Sequence, residues 1–175
     1  MKDTRNLIDK YKNLPVEDIK NDLALHSLPL AIAIENIQHD FNIGSIVRSA
    51  NAFNISSVHI IGKKHWNRRG AMATEKYLTV IHHPSTDSFL QWANDNKKVV
   101  VGVDNIPGST PLMQYKFPND AVLVFGQEGP GLSDGMKQHC TALVAIEQYG
   151  STRSVNVGAA AAIIMYDWVR RYENK

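Results

Sequence analysis

The chain has 175 residues, 43% of them hydrophobic and 21% charged, which is the balance of a globular domain and excludes a disordered or fibrous chain. Its longest apolar run, Gly158 to Met165, is far too short to span a membrane, and the opening Met1-Lys2-Asp3-Thr4-Arg5-Asn6 leads into no apolar stretch of a secretory signal. A single cysteine, Cys140, excludes an intrachain disulfide and makes the reducing cytoplasm the expected location, while a formal net charge of +2 is too small to argue for nucleic acid by itself.

The elements follow in chain order. Residues 15 to 26 read as an opening helix, with Pro15 in its first turn and Val16, Ile19 and Leu23 on one face. Pro29 releases the chain into an apolar strand, Leu30 to Ile34. A helix then starts near Ile43, with Asn42 as its expected cap and Ile43, Ile46, Val47 and Ala50 at helical spacing. Val58 to Ile61 is a second strand, Ser85 to Asn94 a helix, Lys98 to Val103 a third strand and Ala121 to Phe125 a fourth. Ala142 to Ile146 makes a fifth strand and Ser154 to Arg171 a long closing helix. Strand alternating with helix along the whole chain predicts an α/β fold with a parallel sheet in a single domain.

Four segments gather polar residues and glycines at strand ends, where open α/β sheets hold ligands. In Asn42-Ile43-Gly44-Ser45-Ile46-Val47-Arg48, Gly44 and Arg48 share a helix face. The glycine leaves room for a ligand or a backbone beside the arginine, and a capped surface helix is the plainer alternative. Gly126-Gln127-Glu128-Gly129-Pro130-Gly131 follows a strand with three glycines in six residues. Its order is wrong for a dinucleotide fingerprint or a triphosphate loop, and Glu128 suits a cationic ligand better than a phosphate. Ile146 to Asn156 is a polar loop running into a helix, with Ser154 as an expected cap. The Gly62 to Gly70 loop carries Lys63, Lys64, Arg68 and Arg69 with Trp66 and no acid, as a phosphate-holding loop with a base-stacking indole would, or as a solvated charged loop. The seven histidines show no metal spacing and no nucleophile elbow is present, so no metal is expected.

The order of three of these segments is more specific than any one of them. Asn42-x-Gly44-x-x-x-Arg48, Phe125-Gly126-Gln127-Glu128-x-x-Gly131-Leu132 and Ser154-x-Asn156-Val157, the last opening a helix of small residues, resemble the three motifs of the SpoU-type (TrmH-like) RNA 2′-O-ribose methyltransferases of the SPOUT superfamily. The likeness covers roughly residues 30 to 170. It implies S-adenosylmethionine as methyl donor, an RNA ribose 2′-hydroxyl as acceptor with transfer RNA slightly favoured over ribosomal RNA, and no metal. A C-terminal trefoil knot is implied as well, an exception to the usual absence of knots, and so is a homodimer with active sites at its interface. Residues 1 to 28 are then a helical extension and 29 to 175 the methyltransferase domain.

Carried over by position, Arg48 matches the family's catalytic arginine and Asn42 its supporting asparagine. Glu128 matches the glutamate of the second motif, and Ser154 and Asn156 the serine and asparagine of the third. Cofactor contacts fall at Val103, Asp104, Gly126, Gly131, Ile146, Ser154 and Val155, the last standing where leucine is more usual. RNA contacts fall to Lys63, Lys64, Trp66, Arg68 and Arg69. The rival from another class is an RNA-binding protein that keeps the fold without turnover; an unrelated nucleotide-binding enzyme is disfavoured by the missing phosphate fingerprints.

Overall fold

The computed structural model describes residues 3–36 and 42–173. Seven strands form one sheet with every pairing parallel: β1 (Leu28–Asn36), β2 (Ile55–Gly62), β3 (Val80–His83), β4 (Val99–Val103), β5 (Thr110–Pro111), β6 (Ala121–Phe125) and β7 (Ala142–Ala145). Their spatial order is β3-β2-β1-β6-β4-β7-β5. The helices are α1 (Val16–Leu25), α2 (Ile43–Ala52), α3 (Thr86–Asp95), the single turn α4 (Asp134–Lys137) and α5 (Val157–Glu173).

Alternation along β1 assigns the two faces. Leu30, Ile32 and Ile34 point into a core shared with Ile46 and Val47 of α2 and with Ile164, Met165 and Trp168 of α5. Ala31 and Ala33 point the other way, toward Phe89 of α3 and Met136 of α4. β1 is buried from Leu30 onward, as a central parallel strand must be. The five expected strands and the expected helices over 15–26, from 43, over 85–94 and from 154 are all present, with shifted ends.

Two strands escaped the sequence reading. β3 (Val80-Ile81-His82-His83) hides its pattern because the residue it buries most deeply is a histidine. His83 is paired there with the buried His59: His59 Nδ1 lies 2.8 Å from His83 Nε2, and Ser57 Oγ lies 2.9 Å from His59 Nε2. β5 is two residues at the sheet edge, where Pro111 costs no ladder hydrogen bond. The closing helix begins at Val157 rather than Ser154, because Asn156 supplies its cap.

Candidate active site

A cleft of about 570 Å³ opens where β4, β6 and β7 end, and it is walled by the loops that follow them. All seven expected cofactor positions line it: Val103, Asp104, Gly126, Gly131, Ile146, Ser154 and Val155. The loop after β6 is folded back on itself, Gln127 and Gly131 exchanging two backbone hydrogen bonds of 3.0 Å each. Gly126 is obligatory for that fold, since a Cβ there would lie 2.1 Å from the Gly131 carbonyl carbon. Gly129 and Gly131 have φ of +93° and +73°, the left-handed region that favours glycine. Asp104, at the end of β4, accepts the Leu132 N–H at 3.0 Å and sits where any side chain on Gly131 would have to go.

Three distant segments meet at one rim of the cleft. The Asn156 side-chain oxygen accepts the N–H groups of Gly158 and Ala159, at 2.9 and 3.2 Å, and so satisfies the start of α5. Its Nδ2 donates to Asn42 Oδ1 at 2.9 Å, and Asn42 Nδ2 donates to Glu128 Oε2 at 2.7 Å. Each amide is thus fixed in orientation by a partner on either side. Asn42 makes no side-chain cap to α2, contrary to the expectation from its position, because its amide is committed to this relay. Ser154 is exposed on the cleft wall and is not the helix cap.

Arg48 stands apart. It is exposed on α2 and does not line the cleft. The space beside Gly44, left open for a ligand or a backbone, is filled by backbone: a Cβ on Gly44 would meet Ala71 N at 2.8 Å, and one on Gly70 would meet Ser45 N at 2.9 Å. The basic loop is thereby docked onto α2. Lys63, Lys64, Arg68 and Arg69 are exposed, while Trp66 is half-buried against the core with the Arg68 guanidinium 5.7 Å above its ring. The indole therefore anchors the loop as well as facing outward.

The cleft suits an uncharged or cationic ligand with hydrogen-bonding edges. Its volume lies within the range of about 300–1,000 Å³ usual for small-molecule sites. Two buried acceptor atoms in its walls, Gln127 Oε1 and Gln148 Oε1, have no hydrogen-bond partner among the described residues, so a donor-bearing ligand would satisfy them. Cys140 is unsuited to nucleophilic chemistry: burial first, then the nearby Glu35 charge, push its thiol up to about 11. Among the described residues no group of three His, Cys, Asp or Glu could hold a metal ion, and His39 lies outside them. No helix of the described residues is long and apolar enough to cross a membrane. Sequence reasoning passed over Glu35, a buried glutamate closing an apolar strand; a charge in that place was the available signal.

Comparison with known proteins places this geometry in a family. The SpoU rRNA Methylase family model matches residues 29–166. An "Uncharacterized tRNA/rRNA methyltransferase" of Mycolicibacterium vanbaalenii is 30% identical over 172 residues, covering 94% of this chain and 54% of the relative. The 23S rRNA (guanosine-2′-O-)-methyltransferase RlmB of Salmonella typhi is 27% identical over 160 residues, covering 88% of this chain and 65% of the relative. The chain thus spans between about half and two thirds of the length of these two relatives. Among solved structures, the SpoU methyltransferase AviRb of Streptomyces viridochromogenes in complex with the cofactor AdoMet superposes with a TM-score of 0.75 at 26% identity, covering 83% of this chain and 61% of that one. The A. aeolicus TrmH/SpoU tRNA modifying enzyme shares the fold with a TM-score of 0.78 at 22% identity, covering 92% and 86%. With a family model matching most of its length, across the strands and loops that build the cleft, the chain belongs to the SpoU rRNA Methylase family.

Proposed function

We propose that the protein transfers a methyl group from S-adenosylmethionine to the 2′-hydroxyl of an RNA ribose in the cytoplasm, with transfer RNA the first substrate to test and ribosomal RNA the second. The observation that carries this reading is the Asn156–Asn42–Glu128 relay, which ties all three motifs to one rim of the cleft. The cofactor supplies an electrophilic methyl on a sulfonium. Held by the cleft lining at Asp104, Gly126, Gly131, Ile146 and Val155, it would offer that methyl carbon to the ribose oxygen, the sulfur leaving as a neutral thioether and the hydroxyl proton passing to solvent. The chain's own contribution is to hold both substrates in line, which removes much of the entropic part of the barrier.

Glu128 and Asp104 line the cleft with one cation, Arg153, and these two carboxylates suit a sulfonium. Arg48 lies on the α2 face away from the cleft lining, a place from which it serves the RNA phosphate and the developing charge on the ribose oxygen. A homodimer brings such a face to a cleft. In support, α5 leaves Ala159, Ile163 and Tyr166 exposed along one stripe beside α2, Tyr166 standing 6.0 Å from the Phe53 ring. Residues 1–28 act as an extension to a methyltransferase domain at 29–175, and the C-terminal part forms a trefoil knot. Supporting that last reading, Arg171 of α5 grips the Leu112 and Tyr115 carbonyls at 2.9 and 2.7 Å.

The test is incubation with labelled S-adenosylmethionine and RNA from cells lacking the protein, followed by mapping of the labelled ribose. Light scattering should give about twice 19.5 kDa. Cofactor binding with no transfer to any RNA would favour the non-catalytic binder instead.

A further inference from the structure

Consecutive residues of a strand face opposite sides of a sheet, and at the end of β1 this alternation is put to use. Glu35 follows Ala31 and Ala33 onto the α4 side, where its carboxyl group is 1% exposed. Oε2 accepts the Ser133 N–H at 2.7 Å and Oε1 accepts the Ser133 hydroxyl at 2.6 Å. The same hydroxyl oxygen accepts the Met136 N–H at 3.2 Å and so caps α4. Asn36, equally buried, turns to the other side and donates to the carbonyls of Lys63 and His65 at 2.6 and 3.0 Å, holding the start of the basic loop.

We propose that Glu35 is a positioning residue for the cofactor, acting through Ser133 on the loop that walls the cleft; the proposal rests on the cofactor reading given above. Ser133 directly follows Leu132, whose N–H is held by Asp104, so two successive backbone amides are each tied to a carboxyl group from a different strand. These ties fix the outgoing limb of the Gly126–Leu132 loop against β1 and β4. Its incoming limb is fixed by β6. With both limbs fixed, the loop presents Gly131 and the backbone of residues 127 to 131 to the cleft in one conformation. Releasing the Ser133 tie frees that limb without touching a group in contact with the ligand. A burial this complete for a glutamate is otherwise costly, and it is offset here by two short hydrogen bonds to one residue.

Asn36 provides the internal control, since it is buried at the same strand end but serves the other loop. Four variants separate the roles: Glu35→Ala, Glu35→Gln, Ser133→Ala and Asn36→Ala. S-adenosylmethionine affinity would be read by calorimetry and bulk transfer RNA affinity by filter binding. Glu35→Ala is expected to weaken the cofactor about tenfold to thirtyfold, the scale of a buried amide left unpaired, with transfer RNA affinity within about twofold to threefold of native. Glu35→Gln should rescue most of the loss, because its amide oxygen still accepts the Ser133 N–H and its NH₂ can donate to the hydroxyl oxygen. Ser133→Ala should fall between, and Asn36→Ala should show the reverse pattern, RNA weakened and cofactor spared. If Glu35→Ala fails to fold, Glu35→Gln and Ser133→Ala carry the comparison. A wild-type protein that ignores S-adenosylmethionine would overturn the functional reading, and this proposal with it. A wild type that binds, beside Glu35 and Ser133 variants of native cofactor affinity or variants that lose both ligands equally, would overturn the positioning role alone.

Discussion

Asn42 and Asn156, 114 positions apart in the chain, meet side chain to side chain at 2.9 Å, Asn156 donating and Asn42 accepting. The contact makes the start of α5 and the start of α2 a single unit, and Gly158 eases it, since a Cβ there would lie 3.2 Å from Asn156 Oδ1, the atom that caps α5. Asn156→Ala should therefore cost about 1–2 kcal/mol of stability through the lost cap and reduce cofactor affinity as well. Asn156→Asp keeps an acceptor for Gly158 and Ala159 but loses the donor to Asn42 and sets a carboxylate oxygen against Asn42 Oδ1. It should stay near native stability and still lose transfer. Urea melts and single-turnover transfer on the two variants would check this; equal activity in Asn156→Asp and wild type would remove the relay from the mechanism.

Arg48 is exposed and outside the cleft lining, so its loss should be felt by the RNA and not by the cofactor. Arg48→Ala is expected to abolish most transfer, on the order of a hundredfold or more for a group that steadies developing charge, with S-adenosylmethionine affinity unchanged. Arg48→Lys should recover little, because a point charge lacks the planar fork. Cofactor binding lost in parallel with rate would contradict this division.

Replacing Arg68 and Arg69 together by alanine should weaken RNA binding and lower the slope of log affinity against log salt by about one for each lost phosphate contact. Because Arg68 also covers the Trp66 ring, the double variant should alter tryptophan fluorescence. RNA affinity that stays native at every salt concentration would return this loop to a merely solvated one.

The His59–His83 pair predicts an acid-sensitive fold. Burial first, then the charge of His83 and of Lys98, push His59 down to about 3, and burial also lowers His83. Ser57, Ser88, Phe89, Trp92 and His82 also surround the pair, and among the described residues no carboxylate bonds to it. The unfolded chain takes up a proton on His59 below about pH 6.5 while the folded chain does not until far lower. Stability from this group is thus full above pH 6.5 and drains away as pH falls toward 3, by on the order of 3 kcal/mol near pH 4. Denaturant midpoints measured at several pH values would show the fall, and His59→Leu should flatten it.

Much of the fold is legible in the sequence because apolar runs such as Leu30 to Ile34 and Ala121 to Phe125 have no other place in a chain of this length than a buried parallel sheet. Part of the cleft wall is legible through glycine: Gly126 and Gly131 stand where only backbone can fit. What stays hidden is whatever depends on a partner far along the chain. Nothing near Asn42 in sequence tells its amide to leave α2 uncapped and turn to Asn156 and Glu128. Nothing near Glu35 announces Ser133, and β3 is masked because the residue it buries most deeply, His83, is polar.

The loop closed by Gln127 and Gly131 has one more consequence. A wall whose backbone is already held by its own hydrogen bonds has little freedom left to surrender when a ligand arrives, so the entropic cost of association falls mainly on the ligand. Association should then proceed without a slow rearrangement, its observed rate rising linearly with ligand concentration and showing no plateau.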